Sequence, residues 1–439
     1  MALLSRSSAY SRVTALAEQR PLHQAFRWLH LHGRQMMRWQ VELVAIPAPP
    51  FGEEKRSLWI AERFGEAGLE SIVTDSIGNV YGEFPGTVLE AGLGPVILLS
   101  AHLDTVFPAG TPLHPTLKDE RLEGPGACDN AAGVVGMLAV AHAFTESFQG
   151  AQMPAGVGLV FVGNVGEEGE GDLRGVRQIY RDSPYAGRIA AHIVLDGAGA
   201  ETAVTQALGS RRFQVTISGP GGHSFTDAGT PNPIVVLALA LTRLSEMTLA
   251  DQPDEPRTTV NVGTILGGTS VNTIPESAVA TLDFRSTDVE QLVRLEVALH
   301  RAVEDAVESA NADFALRNKL RGGRLSHGRV SYSIETIGNR PAAELPADSP
   351  LLDALKAVDR HLGLRTDLRL GSTDANIPLS LGVPAVSLGA GGDGGGAHTR
   401  AEWYSAVNRE LGLRRVLLLT LAMLEWAGRQ GELEISGRT

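Results

Sequence analysis

The amino-acid sequence predicts an α/β protein in which a doubly wound mixed sheet is interrupted by an inserted β-α-β-β-α-β unit of ferredoxin-like order. Three observations carry this. Four short runs are apolar at every position, which marks strands buried on both faces of a helix-covered sheet. Helical stretches separate the first of these runs, as a doubly wound architecture requires. The middle third instead shows alternating strands and two longer helices in β-α-β-β-α-β order.

Taken in order, the periodicity predicts a helix over 22–44, stopped by Pro47, Pro49 and Pro50, and a second helix over 53–67. Residues 96–100 read VILLS and run into His102 and Asp104. Residues 157–162 read VGLVFV and lead to Glu167 and Glu168. Residues 193–195 lead to Asp196, and residues 385–388 lead through a glycine-rich stretch to His398. Helices are predicted over 131–144 and 173–180. In open α/β sheets the ligand site lies beyond the carboxyl ends of the strands, and these ionisable residues sit there. The glycines of 389–396 predict a loop, since consecutive glycines do not sustain regular structure. In the middle third, 213–218 reads FQVTIS, followed by a helix over 233–244 and strands over 258–266 and 278–286. A long amphipathic helix over 289–309 and a strand over 329–336 complete it. The predicted domains are therefore 1–209 plus 339–439 for the main sheet, and 210–338 for the insertion.

A chain of 439 residues exceeds one ordinary core, which agrees with two domains. The formal net charge of -12, with no run of Lys or Arg, disfavours a nucleic-acid partner, because a phosphate backbone would be repelled. No apolar stretch reaches membrane-spanning length, and residues 1–38 lack the apolar core of a signal peptide. The one cysteine, Cys128, can form no internal disulfide. These features predict a soluble cytoplasmic protein with no membrane partner.

His102, Asp129, Glu168, Asp196 and His398 have the chemistry to hold two divalent cations. Imidazole and carboxylate ligands suit zinc first, and cobalt or manganese as well. One carboxylate has two oxygens and can bridge, so five protein ligands suffice and open positions remain for water. Asp104 lies two residues beyond His102, where its carboxylate can accept a hydrogen bond from the other ring nitrogen. Each residue also has a bland reading. Asp129 at a helix start is a plain N-cap. Glu167 and Glu168, with Glu170 and Asp172 close by, form an ordinary solvated acidic loop. The alternative is a division of labour, in which a cation relieves the repulsion and one glutamate stays free as a base. The histidines predicted to lie on helices (His23, His30, His32, His142, His300, His361) read as structural or surface residues. Cys128 reads as a small buried side chain.

Six segments decide between these readings by their joint order. They are HLDT (102–105), GACDNAAG (126–133), GEEGEG (166–171), LDG (195–197), GGHS (221–224) and AHTRAEW (397–403). Together they resemble the M20 metallopeptidase family, over about residues 40–430. The LDG ending and the segment GSTDANIPLSLGVP (371–384) are most similar to its peptidase T branch. The resemblance implies that Asp129 bridges two metal ions, that His102 and Asp196 complete one site, and that Glu168 and His398 complete the other. It implies Glu167 as general base and acid, Asp104 as the residue orienting His102, and His223 as an oxyanion stabiliser. Asn272 and Arg285 would contact substrate, the latter through a carboxylate. The inserted domain would act as a lid and pair two chains into a homodimer. The expected reaction is hydrolysis of an amide bond in a short peptide, by an aminopeptidase. The alternatives are an N-acyl amino acid amidohydrolase or carboxypeptidase, and a non-catalytic scaffold. The loop around His223 and the long N-terminus differ from the tripeptidase pattern, which leaves the substrate open.

Overall fold

A computed structural model of the chain describes residues 8–85, 94–148, 153–154, 156–249, 256–320 and 328–436. It divides into two compact units, Met1–Ala207 with Glu344–Thr439, and Leu208–Ala343.

The first unit is built on a nine-stranded mixed sheet. Its centre runs Gly158–Asn164, Val96–His102, Ile189–Leu195, Ala385–Leu388, all parallel. Every residue of Val96–His102 and Gly158–Asn164 is buried, which is why these strands lack polar alternation. The helix Ala131–Ser147 is buried on nearly all sides, as its uncharged sequence AAGVVGMLAVAHAF demands. It packs against the C-terminal helix Arg409–Ser436 and the strand Val96–His102.

The N-terminus departs from the expected single helix. It forms Ala9–Ala17, Arg20–Leu31 and Gly33–Val44. The break falls at His32, whose ring stacks on Trp28 and whose Nδ1 lies 2.8 Å from the Trp28 carbonyl. His142 then stacks against both Trp28 and Trp39, with centroids 5.2 Å apart in each pair. This aromatic stack ties two of the three helices to Ala131–Ser147.

The glycine-rich stretch is also more regular than expected. Asp393–Gly395 is a short strand, because Trp403–Ser405 supplies it with hydrogen bonds and pairs in turn with Arg121–Glu123. Glycine is required nearby: Gly391 has φ +75, and a Cβ there would sit 2.2 Å from the Arg409 carbonyl oxygen.

The second unit is a four-stranded antiparallel sheet ordered Thr258–Gly267, Ser277–Ser286, Gly209–Ser218, Ser331–Arg340. Helices Pro233–Leu249 and Val289–Leu320 cover it, giving the β-α-β-β-α-β order. Phe213, Val215 and Ile217 alternate inward against Leu237, Leu244, Leu299 and Val303. A small hairpin pairs Gly222–His223 with Thr273–Ile274. Among the described residues, no helix is long and apolar enough to cross a membrane.

Candidate metal centre

The central parallel strands deliver their carboxyl ends to one place. His102 is the last residue of its strand and is fully buried. Its Nδ1 lies 3.1 Å from the Asp104 backbone carbonyl, which only accepts, so Nδ1 carries the proton when the ring is neutral. Nε2 then turns a lone pair toward Asp129 Oδ1 at 3.2 Å and Asp196 Oδ1 at 3.8 Å. On the other side, His398 Nε2 lies 3.1 Å from Asp129 Oδ2 and 3.2 Å from Glu168 Oε1. Each oxygen of Asp129 therefore faces a different histidine. His398 itself has φ +66, a left-handed conformation that costs a residue with a side chain and recurs at functional sites.

The bland readings of these residues do not hold. The cap of Ala131–Ser147 is Asn130, whose Oδ1 accepts the Gly133 N–H at 3.0 Å, so Asp129 is released from capping. Asn130 also accepts the Gly197 N–H at 3.1 Å and donates to the Leu195 carbonyl at 2.9 Å, which fixes the loop carrying Asp196. Glu167 and Glu168 are 5% and 6% exposed, so they are no solvated loop. Their backbone N–H groups both donate to Asp104, to Oδ1 at 3.0 Å and to Oδ2 at 2.8 Å. Asp104 thus faces both His102 and the turn that follows the neighbouring strand. Its carbonyl orients His102, while its carboxylate, 3.6 Å from Nδ1, clamps the Glu167–Glu168 turn.

The titratable groups of this cluster shift one another strongly. Burial pushes the Glu168 carboxyl up to about 7, helped by the charge of Asp129. Contact with Asp129 lifts His398 to about 9. Burial disfavours charge on His102, yet Asp104, Asp129 and Asp196 hold it well above the ordinary range. Burial works against the Asp129 carboxylate too, but His102 and His398 keep it below the usual carboxylate range. Asp129 Oδ1 is buried and makes no hydrogen bond. Ligand atoms of His102, Asp129 and Glu168 all lie within 4.8 Å of one another. Two ligands about 2.1 Å from one tetrahedral ion stand roughly 3.4 Å apart, close to the separations seen between the histidines and carboxylates. The donor set fits a pair of divalent ions.

Beside this centre lies a pocket of about 620 Å³ lined by Val106, Phe107, Pro108, Thr111, His398 and Arg400. Arg400 is exposed and has no ion-pair partner among the described residues. Burial raises the Cys128 thiol to about 12, which removes it as a nucleophile.

The remaining predicted residues belong to the second unit. The Phe225 and Thr226 N–H groups donate to His223 Nδ1 at 3.2 and 3.4 Å, so neutral His223 carries its proton on Nε2. Asn272 accepts the Ser270 hydroxyl at 2.7 Å, and its carbonyl accepts the Ser224 N–H at 3.0 Å, so it braces the hairpin of His223. Arg285 donates through Nε to Asp283 at 2.6 Å.

The sequence matches the family model described as Peptidase family M20/M25/M40 over residues 98–422. The chain belongs to this M20 peptidase family. Among curated relatives, it is 25% identical to a succinyl-diaminopimelate desuccinylase of Methylobacillus flagellatus over 54% of this chain and 64% of that one. It is 26% identical to a probable carboxypeptidase of Talaromyces marneffei over 59% of each. These relatives are thus matched over about three fifths of their length. Among solved structures, a Staphylococcus aureus tripeptidase superposes with TM-score 0.67 at 23% identity, covering 90% of this chain and 99% of that one. The aminopeptidase PepT of Bacillus cereus gives 0.65 at 20%, covering 89% and 98%. A dinuclear metal-binding M20 peptidase of Bacillus subtilis gives 0.62 at 16%, covering 90% and 99%. The chain has the M20 fold.

Sequence reasoning missed Asn130, Arg56 and Glu402. Asn130 was readable, since Asn is a preferred cap. Arg56 donates to the carbonyls of Ile46 and Leu103, and Glu402 to no group at all, accepting only backbone N–H groups. Glu402 lies inside the AHTRAEW segment, but the loop it grips is distant in sequence, and no local pattern marks Arg56.

Proposed function

We propose that this chain is a zinc-dependent aminopeptidase of the M20 family that cleaves short peptides at a dinuclear centre. The observation that supports it is the Asp129 carboxylate, with one oxygen facing His102 and the other His398. His102 and Asp196 would hold one ion, Glu168 and His398 the second, and Asp129 both. When bound, such ions polarise a carbonyl and acidify water. Glu167 takes the proton from the attacking water and returns it to the leaving nitrogen. Asp104 holds the Glu167 backbone while this happens. His223, protonated on Nε2, has the tautomer that donates to a developing oxyanion. The reading includes a cytoplasmic location and a homodimer through the second unit, whose edge strand Thr258–Gly267 leaves Ile265 and Leu266 53% and 70% exposed.

A second reading, a carboxypeptidase or N-acyl amino acid amidohydrolase, is favoured by Arg400. Its unpaired guanidinium in the pocket beside His398 suits a substrate carboxylate.

The test is a turnover screen read by mass spectrometry. Purified protein with zinc, cobalt or manganese meets di- and tripeptides and N-acyl amino acids, beside a chelator control. Chelator-sensitive loss of N-terminal residues is expected. Release of C-terminal residues or acyl groups, with free N-termini untouched, would move the assignment to the second reading. No turnover with metal bound would defeat both.

A further inference from the structure

We infer that Glu402 is a positioning residue for the dinuclear centre, holding the 126–129 loop so that the Asp129 carboxylate stays between His102 and His398. The inference rests on the metal-site reading above. Glu402 is completely buried. Its Oε2 accepts the Gly126 N–H at 2.9 Å, and its Oε1 accepts those of Cys128 and Asp129 at 2.8 and 2.7 Å. Three backbone dipoles thus converge on one carboxylate, an arrangement that fixes a loop far more tightly than one bond would. One of the three belongs to Asp129 itself. The backbone of Glu402 adds a fourth tie, its carbonyl accepting the Gly124 N–H at 2.9 Å.

Glu402 also stands four residues after His398, in the segment that pairs through Trp403–Ser405 with Arg121–Glu123. One short stretch of chain therefore presents His398 to Asp129 Oδ2 and grips the Asp129 backbone. The Glu402 carboxylate hydrogen-bonds to none of the five candidate ligand side chains, only to backbone N–H groups. It acts on them through the loop.

A glutamine at this position offers one oxygen, and its amide N–H₂ faces backbone donors. At least one buried N–H loses its acceptor and the loop must turn. Partners behind metal ligands typically change metal affinity by about 10–100-fold when removed.

The experiment uses the full-length protein, stripped of metal and titrated with zinc against a chromophoric chelator. Glu402→Gln should weaken zinc binding by about 10–100-fold. Excess zinc should then restore most turnover, because Glu402 is completely buried and out of reach of a substrate. Glu402→Asp, which keeps the charge but shortens the reach, gives the same comparison if the glutamine variant fails to fold. A merely structural role would lower the melting temperature of the metal-free protein and leave zinc affinity at the wild-type value, and that result would overturn the inference. Wild-type protein that binds no divalent metal would overturn both the inference and the reading beneath it. Wild-type binding matched by the variants would remove the inference alone.

Discussion

Replacing Asp104 by Asn separates two parts that this residue can play. The side chain is fully buried and accepts two backbone N–H groups, from Glu167 and Glu168. Burial works to raise its carboxyl, but His102 and these two N–H groups hold it below the ordinary range, so it is charged at neutral pH. Asparagine keeps one acceptor and turns an amide donor toward the other N–H. One charge-assisted bond is lost, worth about 1.5–3 kcal/mol, and one buried donor is left unsatisfied. With about 1–3 kcal/mol for the unsatisfied donor, the combined loss is about 2.5–6 kcal/mol, a large part of a typical stability of about 5–15 kcal/mol. The assay is urea unfolding of the metal-free protein, followed by turnover with zinc restored. Displacement of the Glu167 backbone should also slow catalysis, since a shift of about 1 Å costs on the order of 100-fold. If Asp104 instead served only to orient His102 through its carboxylate, zinc affinity would fall while unfolding stayed put. His102 already has the Asp104 carbonyl for that purpose, which Asn retains. An unchanged urea midpoint with unchanged turnover would refute the clamp.

Glu167→Gln should lower turnover by about 10²–10⁴-fold with metal content near wild type; loss of both metals would argue against a base. Arg400→Ala should raise KM for substrates that present a carboxylate and leave their neutral amide analogues unaffected. An equal rise for both would sink the recognition role. His192 is held near 3 by burial, between the Ser100 hydroxyl at 2.8 Å and the Tyr180 hydroxyl at 3.1 Å. Its folded pKa lies below the unfolded value of about 6.5, so its full contribution is present above that pH. As pH falls from 6.5 toward 3, the unfolded chain binds a proton that the fold refuses, costing about 1.4 kcal/mol per pH unit. Urea midpoints of metal-free wild type and His192→Gln should therefore converge toward acid pH, and parallel curves would contradict it.

How much of this was legible follows from what each feature depends on. The four apolar runs predicted the four central strands because only strands covered on both faces lose polar alternation. The outer strands Glu70–Thr74 and Asp367–Gly371 are largely exposed and carry polar residues, so no periodicity announced them. His102 and Asp196 stand at the ends of two of those runs, so their place beyond the sheet was legible, whereas Glu168 and His398 lie further along their loops and were singled out by the motifs around them. The function of the Asp104 carboxylate was not legible, because it is set by sheet register. His102 pairs opposite Asn164, which brings the turn after that strand onto Asp104. The helix break at His32 escaped for a similar reason, since its stacking on Trp28 is a tertiary arrangement.

Asp104 and Glu402, two of the buried carboxylates outside the five candidate ligands, show one way in which the fold tolerates negative charge in this region. Asp129, Glu168 and Asp196 converge within a few ångströms, and Asp104 and Glu402 stand directly behind them. Lysine or arginine side chains could have neutralised these two, but mobile cations beside the ligands would compete with metal for Asp129. The chain instead uses backbone N–H groups, two on Asp104 and three on Glu402. Such dipoles are fixed in place and stabilise an anion without reaching the ligand oxygens. A buried guanidinium nearby, Arg56, is anchored to the carbonyls of Ile46 and Leu103, and it feels the charges of Asp104 and Glu402. Burial lowers it only to about 10, so it stays charged and balances the two acids from behind. The open side of Asp129 is then left to whatever cation the five ligands select.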